Sequence, residues 1–413
     1  MIRPLVAVAL LLLATGALAT AASSAATRPL GPSGGACGAG VTPTPTRPPE
    51  PTPPPETRPG DVNCDGRVNA IDAALILQRT ARLIGRVQCE ENADVSMDGR
   101  INAIDALLIL QTTLVPIMSG AAAGDGTWTG GAPMPTARTE VTSAQLDGVI
   151  YVIGGFTSSA APANVVEAYD TETDTWSAVA PLPSTLHHTG AVAVGDKIFV
   201  AGGYRTTFSS FSSDTYMYDP ATGEWTVCSA MPSARAAAAT VALDGKIYVM
   251  GGVGAQSAVP FVYDVATGTW AQLAPMATQR EHLTASVVDG KIYVIGGRWS
   301  GVNTNAVEVY DPESNTWETL ASLPTARGGL ASAQLGGEIH VVGGENLAPG
   351  GSTYPQHEVY DVASDGWRAA PDLPAARHGL TAQAIDGRIY VIGGGPMPNL
   401  SVSDIVEVYE PAP

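Results

Sequence analysis

The sequence predicts a mostly β chain, a six-bladed β-propeller preceded by a small α-helical module with two EF-hand-type calcium loops. Three periodicities predict it. Glycine pairs stand at 154–155, 202–203, 251–252, 296–297, 343–344 and 393–394. Tryptophans at 128, 176, 225, 270, 317 and 367 keep the same intervals of 45 to 50 residues, a repeat length that implies four strands per blade. Ahead of them, an 18-residue stretch recurs at an offset of 33.

Composition bounds the rest. At about 150 residues per domain, 413 residues predict two or three domains. The 46 glycines and 32 prolines point to turns and linkers, and a charged content of 15% excludes a long charged coiled coil. A net charge of −18 repels phosphate backbones and anionic bilayers, so nucleic acid and membrane surfaces are poor partners.

Residues 1–19 have the layout of a secretory signal peptide: the charge of Arg3, an apolar run from Leu5 to Leu13, and a small-x-small site at Ala17-Leu18-Ala19. The run is short for a span, and no later segment looks transmembrane. The mature chain is therefore expected outside the cell or at its surface. Residues 20–59 form a linker whose 41–59 stretch holds nine prolines and five threonines, the composition of an extended, semi-rigid spacer. An oxidising compartment makes disulfides available to Cys37, Cys64, Cys89 and Cys228. Cys64 with Cys89 is the expected pair, because both fall in one small module.

That module spans 60–118. DVNCDGRVNAIDAALILQ (61–78) and DVSMDGRINAIDALLILQ (94–111) agree at fourteen of eighteen positions. Each opens with a twelve-residue loop carrying oxygen side chains at positions 1, 3, 5, 9 and 12: Asp61, Asn63, Asp65, Asn69 and Asp72, then Asp94, Ser96, Asp98, Asn102 and Asp105. Alternate residues of a tight loop converge, and calcium takes six to eight hard oxygen ligands. Arg67 and Arg100 stand where a backbone carbonyl is contributed, and Gly66 and Gly99 at the sharp turn. Two Ca2+ ions are expected, with one helix after each loop. Asp rather than Glu at position 12, and no helix before either loop, make 60–118 resemble a type I dockerin. The resemblance implies a cohesin-type partner, met by Ala70, Ile71, Ala103 and Ile104. The near-identity of the halves fits the family's symmetric, two-way binding. A calcium-stapled spacer without a cohesin is the alternative.

A short linker, 119–127, leads to the propeller at 128–413. Tyr169, Tyr218, Tyr263, Tyr310 and Tyr360 each precede a tryptophan by seven residues, and Tyr409 completes the set. This pattern resembles the kelch repeat. Two-residue turns seven residues before each glycine pair (Asp147-Gly148, Gly195-Asp196, Asp244-Gly245, Asp289-Gly290, Gly336-Gly337, Asp386-Gly387) suit type I′ hairpins with both residues at positive φ. A second set, Asp174, Gly223, Gly268, Asn315 and Asp365, tolerates the left-handed conformation that another hairpin needs. Trp128 lacks a tyrosine strand before it and Tyr409 lacks a tryptophan strand after it, so the first strand must complete the last blade.

Loops between the second and third strands vary in length, which makes their face the recognition surface. Tyr204, Arg298 and Trp299 lie there. Sixteen residues before five of the six glycine pairs stand Arg138, Arg235, Arg280, Arg327 and Arg377, with Leu186 in the remaining blade. They line a partner-binding mouth, or else each ties down the loop entering its blade. Glu140, His188, Glu281, His282 and His378 lie near the same strand starts and could form a metal or acid–base cluster. Copper oxidase chemistry of the galactose oxidase type is not expected, because the one propeller cysteine, Cys228, sits on an outer strand. No motif singles out the sialic-acid mutarotase activity found on other six-bladed kelch proteins. Two functions remain open. One is a secreted, non-catalytic adaptor whose propeller binds a protein or glycan. The other is an extracellular carbohydrate-active enzyme in a polysaccharide-degrading assembly.

Overall fold

The computed structural model describes residues 37, 62, 70–83, 85–94, 100–103, 106, 126–206 and 208–412. Its contacts divide the chain into Met1–Ser33, which lies outside the described residues, and Gly34–Pro413.

Six four-stranded antiparallel sheets follow one another along the chain. Blade 1 runs Thr142–Leu146, Val149–Ile153, Val166–Asp170, Thr175–Ala178 from the axis outward. Blades 2 to 5 repeat that order, starting at Gly190, Ala239, Thr284 and Ala331. Blade 6 takes Thr381–Ile385, Arg388–Ile392 and Val406–Glu410 from the C-terminal end and Thr127–Gly130 from the start of the propeller, with Trp128 opposite Tyr409. Pairing the two ends of the propeller leaves no free edge between its first and last strands.

The repeat residues show why the ring holds. Each outer-strand Trp lies opposite the Tyr of its own blade, with ring centroids 4.9–5.2 Å apart. Each indole N–H also reaches back to the preceding blade. Trp176 donates to the Ala132 carbonyl at 2.9 Å, and Trp225, Trp270, Trp317 and Trp367 repeat the bond. Trp128 closes the circle on the Pro371 carbonyl at 2.8 Å. The tryptophans are thus blade-to-blade fasteners, each satisfying its one donor.

The outer turns do more than reverse the chain. Asp174, Asn315 and Asp365 adopt positive φ. Their side chains accept a hydrogen bond from the tyrosine of the same blade and one from a backbone N–H of the preceding blade, at Ala132, Ala274 and Ala321. At the inner turns, five of the six pairs have both residues at positive φ, as type I′ requires. Gly195-Asp196 departs from that expectation: only Gly195 is at positive φ, the pattern of a type II′ turn, where glycine belongs first.

The disulfide pattern adds a bridge to the expected Cys64–Cys89 pair. Cys37 bonds to Cys228 across 191 residues, with Cα atoms 5.4 Å apart. Cys37 is buried among Phe199, Ile247, Tyr263 and Val265 on the outer part of blades 2 and 3. Sequence distance hid a pairing that ring geometry allows. Cys89 is disulfide-bonded as well, and its expected partner, Cys64, lies outside the described residues.

Ahead of the propeller, Ala70–Thr80 is the one α-helix among the described elements. Its buried Ile76 packs with Val62, Val87, Ala93 and Ala106. Arg79, in its last turn, is ion-paired with Glu90, where a cation also suits the helix dipole. No helix among the described residues is long and apolar enough to cross a membrane.

Candidate functional site at the mouth of the propeller

The inner strands enclose a central channel of about 450 Å3. Its polar lining includes Thr142, Gln145, Thr240, Ser286, Gln334 and Gln383, and among the described residues no ionisable side chain lines it. Charge gathers instead at one end. The residue two places before each inner strand is left-handed: Glu140, His188, Ala237, His282, Gly329 and Gly379, with φ between 52° and 68°. Their backbones form a closed ring. The N–H of His188 donates to the Glu140 carbonyl, and the ring continues through Ala237, His282, Gly329 and Gly379. Val141 N–H closes it on the Gly379 carbonyl. Four of these six are not glycine, and such a residue at positive φ costs on the order of 1 kcal/mol.

One step outward, the chain before each ring residue pairs with the residue after each glycine pair. Thr139 meets Phe156, His187 meets Tyr204, Ala236 meets Val253, Glu281 meets Arg298, Gly328 meets Glu345, and His378 meets Gly395. The backbone is sixfold here and the chemistry is not. Blades 1, 2 and 4 supply Glu140, His188 and His282, while Gly329 and Gly379 leave room. A Cβ on Gly379 would stand 2.8 Å from the Glu140 carboxyl carbon, so glycine in blade 6 makes space for the acid of blade 1.

In that space Glu140 Oε2 lies 3.2 Å from His188 Nε2 and 4.0 Å from His282 Nε2, and Oε1 lies 3.3 Å from His378 Nδ1. His378 Nε2 donates to the Met397 carbonyl at 3.0 Å, while its Nδ1 faces both Glu140 and Glu345. Arg298 donates to Glu281 at 3.1 Å and to Glu345 at 2.7 Å. Burial pushes the His378 pKa down, but the two carboxylates outweigh it and raise it above the ordinary value. Burial, then Arg298, holds His282 well below that value, and burial also lowers His188. Phe156, Tyr204 and Phe208 wall the His187–His188 side, with Tyr204 stacked on His187.

The five arginines expected at a partner-binding mouth are inside the fold. All are at most 1% exposed. Arg138 pairs with Glu167 at 2.7 Å and Arg280 with Glu308 at 2.6 Å, while Arg327 and Arg377 pair with Glu358 and Glu407. Each also donates to carbonyls of its own blade, Arg138 to Gly154 and Arg280 to Val294. Arg235 lies over the Phe261 ring at 4.0 Å and donates to three carbonyls. A guanidinium without exposed surface cannot grip a partner, so these residues tie each incoming loop to its blade.

Residues 125–252 and 231–394 match the family model described as the KLHDC2/KLHL20/DRC7 Kelch-repeats domain. The chain belongs to this kelch-repeat family. Residues 59–112 match the dockerin type I domain, so a dockerin precedes the kelch propeller. A search of curated proteins finds no match. Among solved structures, "Structure of YjhT" superposes with a TM-score of 0.59 at 18% identity, over 66% of this chain and 95% of that one, a likeness of fold alone.

On the loop face of the kelch propeller, Tyr204 and Arg298 are buried and Trp299 is 37% exposed. The first two therefore act through the mouth network and not as free surface. Glu345, on the same variable loops, joins that network as the acceptor of Arg298. Its signal was positional: it follows Gly343-Gly344 as Arg298 follows Gly296-Gly297.

In the dockerin, Asp94 and Asn102 are half-buried and Arg100 is exposed. Asp72 lies in the Ala70–Thr80 helix. Asp61, Asn63, Asp65, Arg67, Asn69, Ser96, Asp98 and Asp105 lie outside the described residues. Ala70 and Ile71 open the helix, Ala103 is helical and exposed, and Ile104 lies outside the described residues. The side-chain donor set of both loops is wholly oxygen, which suits a hard cation, and type I dockerins bind calcium.

Proposed function

We propose that this chain is a secreted, non-catalytic adaptor. In this reading residues 1–19 direct export, 20–59 are a spacer, and 60–118 dock on a cohesin-type partner in a calcium-dependent way. After the 119–127 linker, the kelch propeller of 128–413 presents its loop face to a protein or glycan. The observation that carries it is a type I dockerin in the same chain as a kelch propeller. Asp61, Asn63, Asp65, Asn69 and Asp72, with the Arg67 carbonyl, would hold one ion. Asp94, Ser96, Asp98, Asn102 and Asp105, with the Arg100 carbonyl, would hold the second. Each half is too small to bury a core alone, so metal-binding free energy becomes folding free energy. The loop face suits recognition because Phe208, Phe211, Trp299, Val302, Met397 and Leu400 are exposed apolar residues gathered on these loops.

The near-identical halves give a specific test with a purified type I cohesin. Ala70→Asp with Ile71→Asp is expected to leave binding within a few-fold, because the dockerin can turn and present Ala103 and Ile104. The same change in both halves is expected to abolish coprecipitation in calcium. Undiminished binding by the double-half variant would remove these four residues from the docking face.

A second reading, a carbohydrate-active propeller, is favoured by one observation: a buried carboxylate among three imidazoles at the mouth. It would show as turnover of a saccharide by the full chain.

A further inference from the structure

The mouth cluster has a hydrogen-bonding deficit that is independent of the docking reading. The Thr206 carbonyl can only accept, so His187 Nε2, at 2.8 Å from it, carries the ring hydrogen. His187 Nδ1 is then a lone pair. His188 Nδ1, at 2.6 Å from that lone pair, must be the donor, and the hydrogen of neutral His188 is placed. His188 Nε2 therefore presents a lone pair to Glu140 Oε2 at 3.2 Å, two acceptors facing each other. His282 repeats the arrangement. Its Nε2 turns toward Glu140 at 4.0 Å, and its Nδ1 lies against the Glu281 carboxylate. Ring nitrogens from two blades thus converge on the carboxylate of a third, and His188 brings it no hydrogen.

Charge points the same way. Glu140, Glu281 and Glu345 are set against the single guanidinium of Arg298, all with side chains at most 14% exposed. Even with His378 protonated between Glu140 and Glu345, one negative charge stays uncompensated in a largely dry site, which is costly without a cation. We propose that Glu140, His188 and His282 bind one divalent transition-metal ion of the zinc class at the mouth of the propeller channel. Their ligand atoms lie within 4.8 Å of one another. Two ligands about 2.1 Å from a tetrahedral ion are about 3.4 Å apart, against 3.2 Å and 4.0 Å from Glu140 here. Imidazole and carboxylate together suit such an ion better than calcium does. His187 and Glu281 are the outer partners that orient the two imidazoles, the arrangement usual around protein-bound zinc. The other set of convergent groups, Glu140, Glu345 and His378, shares Glu140 with this site, and it offers one imidazole where this site offers two.

The test uses tag-free full-length protein in millimolar calcium, which keeps the dockerin loaded. None of the six histidines is exposed, so surface imidazoles do not confuse the titration. The metal-stripped chain is titrated with Zn2+ by calorimetry and with Co2+ by visible absorption. One equivalent is expected, with the Co2+ bands of a nitrogen-ligated site and a Zn2+-dependent rise in the unfolding temperature. Glu140→Gln, His188→Gln and His282→Gln should each weaken binding at least a hundredfold, and Glu281→Gln ten- to a hundredfold. His340→Gln, in a buried pair elsewhere, should leave it unchanged. Circular dichroism checks that each variant folds. A folded wild-type chain that binds neither ion overturns the proposal, as does equal affinity in folded Glu140→Gln and His282→Gln.

Discussion

Arg280→Ala is expected to destabilise the propeller by about 3–5 kcal/mol, the usual cost of stripping one partner from a buried ion pair. Glu308 is 2% exposed, and its carboxylate otherwise receives Arg280 at 2.6 Å and the N–H groups of Ala277 and Thr278. Blade 2 shows how the pair can be dispensed with. Leu186 stands at the arginine position and Tyr216 at the glutamate position, and both pack in one apolar cluster. Arg280→Leu with Glu308→Tyr should therefore recover most of the loss, because neither group is then left buried and unpaired. Urea unfolding followed by tryptophan fluorescence reads the propeller alone, since all seven tryptophans lie at or beyond residue 128. A double variant no more stable than Arg280→Ala would show that the apolar solution does not transfer between blades.

The second large effect is acid lability. Burial pulls the pKa of His340 down to about 4, and burial with neighbouring His340 pulls His357 to about 3. The two rings, both on blade 5, bond at 2.8 Å and pack against Tyr409 of the blade that closes the ring. His187 is likewise lowered to about 3, by burial first. Below the unfolded value of about 6.5, the unfolded chain binds protons that the folded chain refuses, so stability falls with pH. The loss begins near pH 6.5 and levels off only near 3 to 4. Each histidine contributes at most about 1.4 kcal/mol per pH unit. Removing two of them, as His340→Gln with His357→Gln, should make the urea midpoint fall less steeply between pH 6.5 and 5. The difference expected is about 3 kcal/mol across that range. Parallel slopes for variant and wild type would mean that this pair does not stay neutral in the fold.

Most of the propeller was legible because its determinants repeat. Glycine pairs, Tyr–Trp spacing and hairpin turns recur six times, and the unpaired Trp128 and Tyr409 announced how the ends meet. The arginines were harder, because one side chain seen alone suits a ligand or a carbonyl equally well. The deciding signal was also in the repeats. Glu167, Glu308, Glu358 and Glu407 stand two residues before the blade tyrosine in four of the five blades that carry the arginine; blade 3 has Phe261 there, and blade 2 lacks both. The mouth cluster was half legible. Proximity of Glu140, His188, His282 and His378 follows from their shared place before the inner strands. Which ring nitrogen faces which oxygen does not, because it depends on carbonyls such as Thr206 and Met397 in loops of unequal length. The Cys37–Cys228 bond left no trace in spacing, since only the folded ring brings Cys37 to the outer edge of blade 2.

In the proposed function the dockerin docks this chain to a cohesin and needs calcium to do so. Calorimetric titration of a type I cohesin into the full-length protein tests it most directly, once in millimolar calcium and once in EDTA. One cohesin per chain is expected to bind in calcium, with no detectable heat of binding in EDTA. No binding in calcium, by protein whose dockerin is folded, would contradict it and leave residues 60–118 as a calcium-stapled spacer.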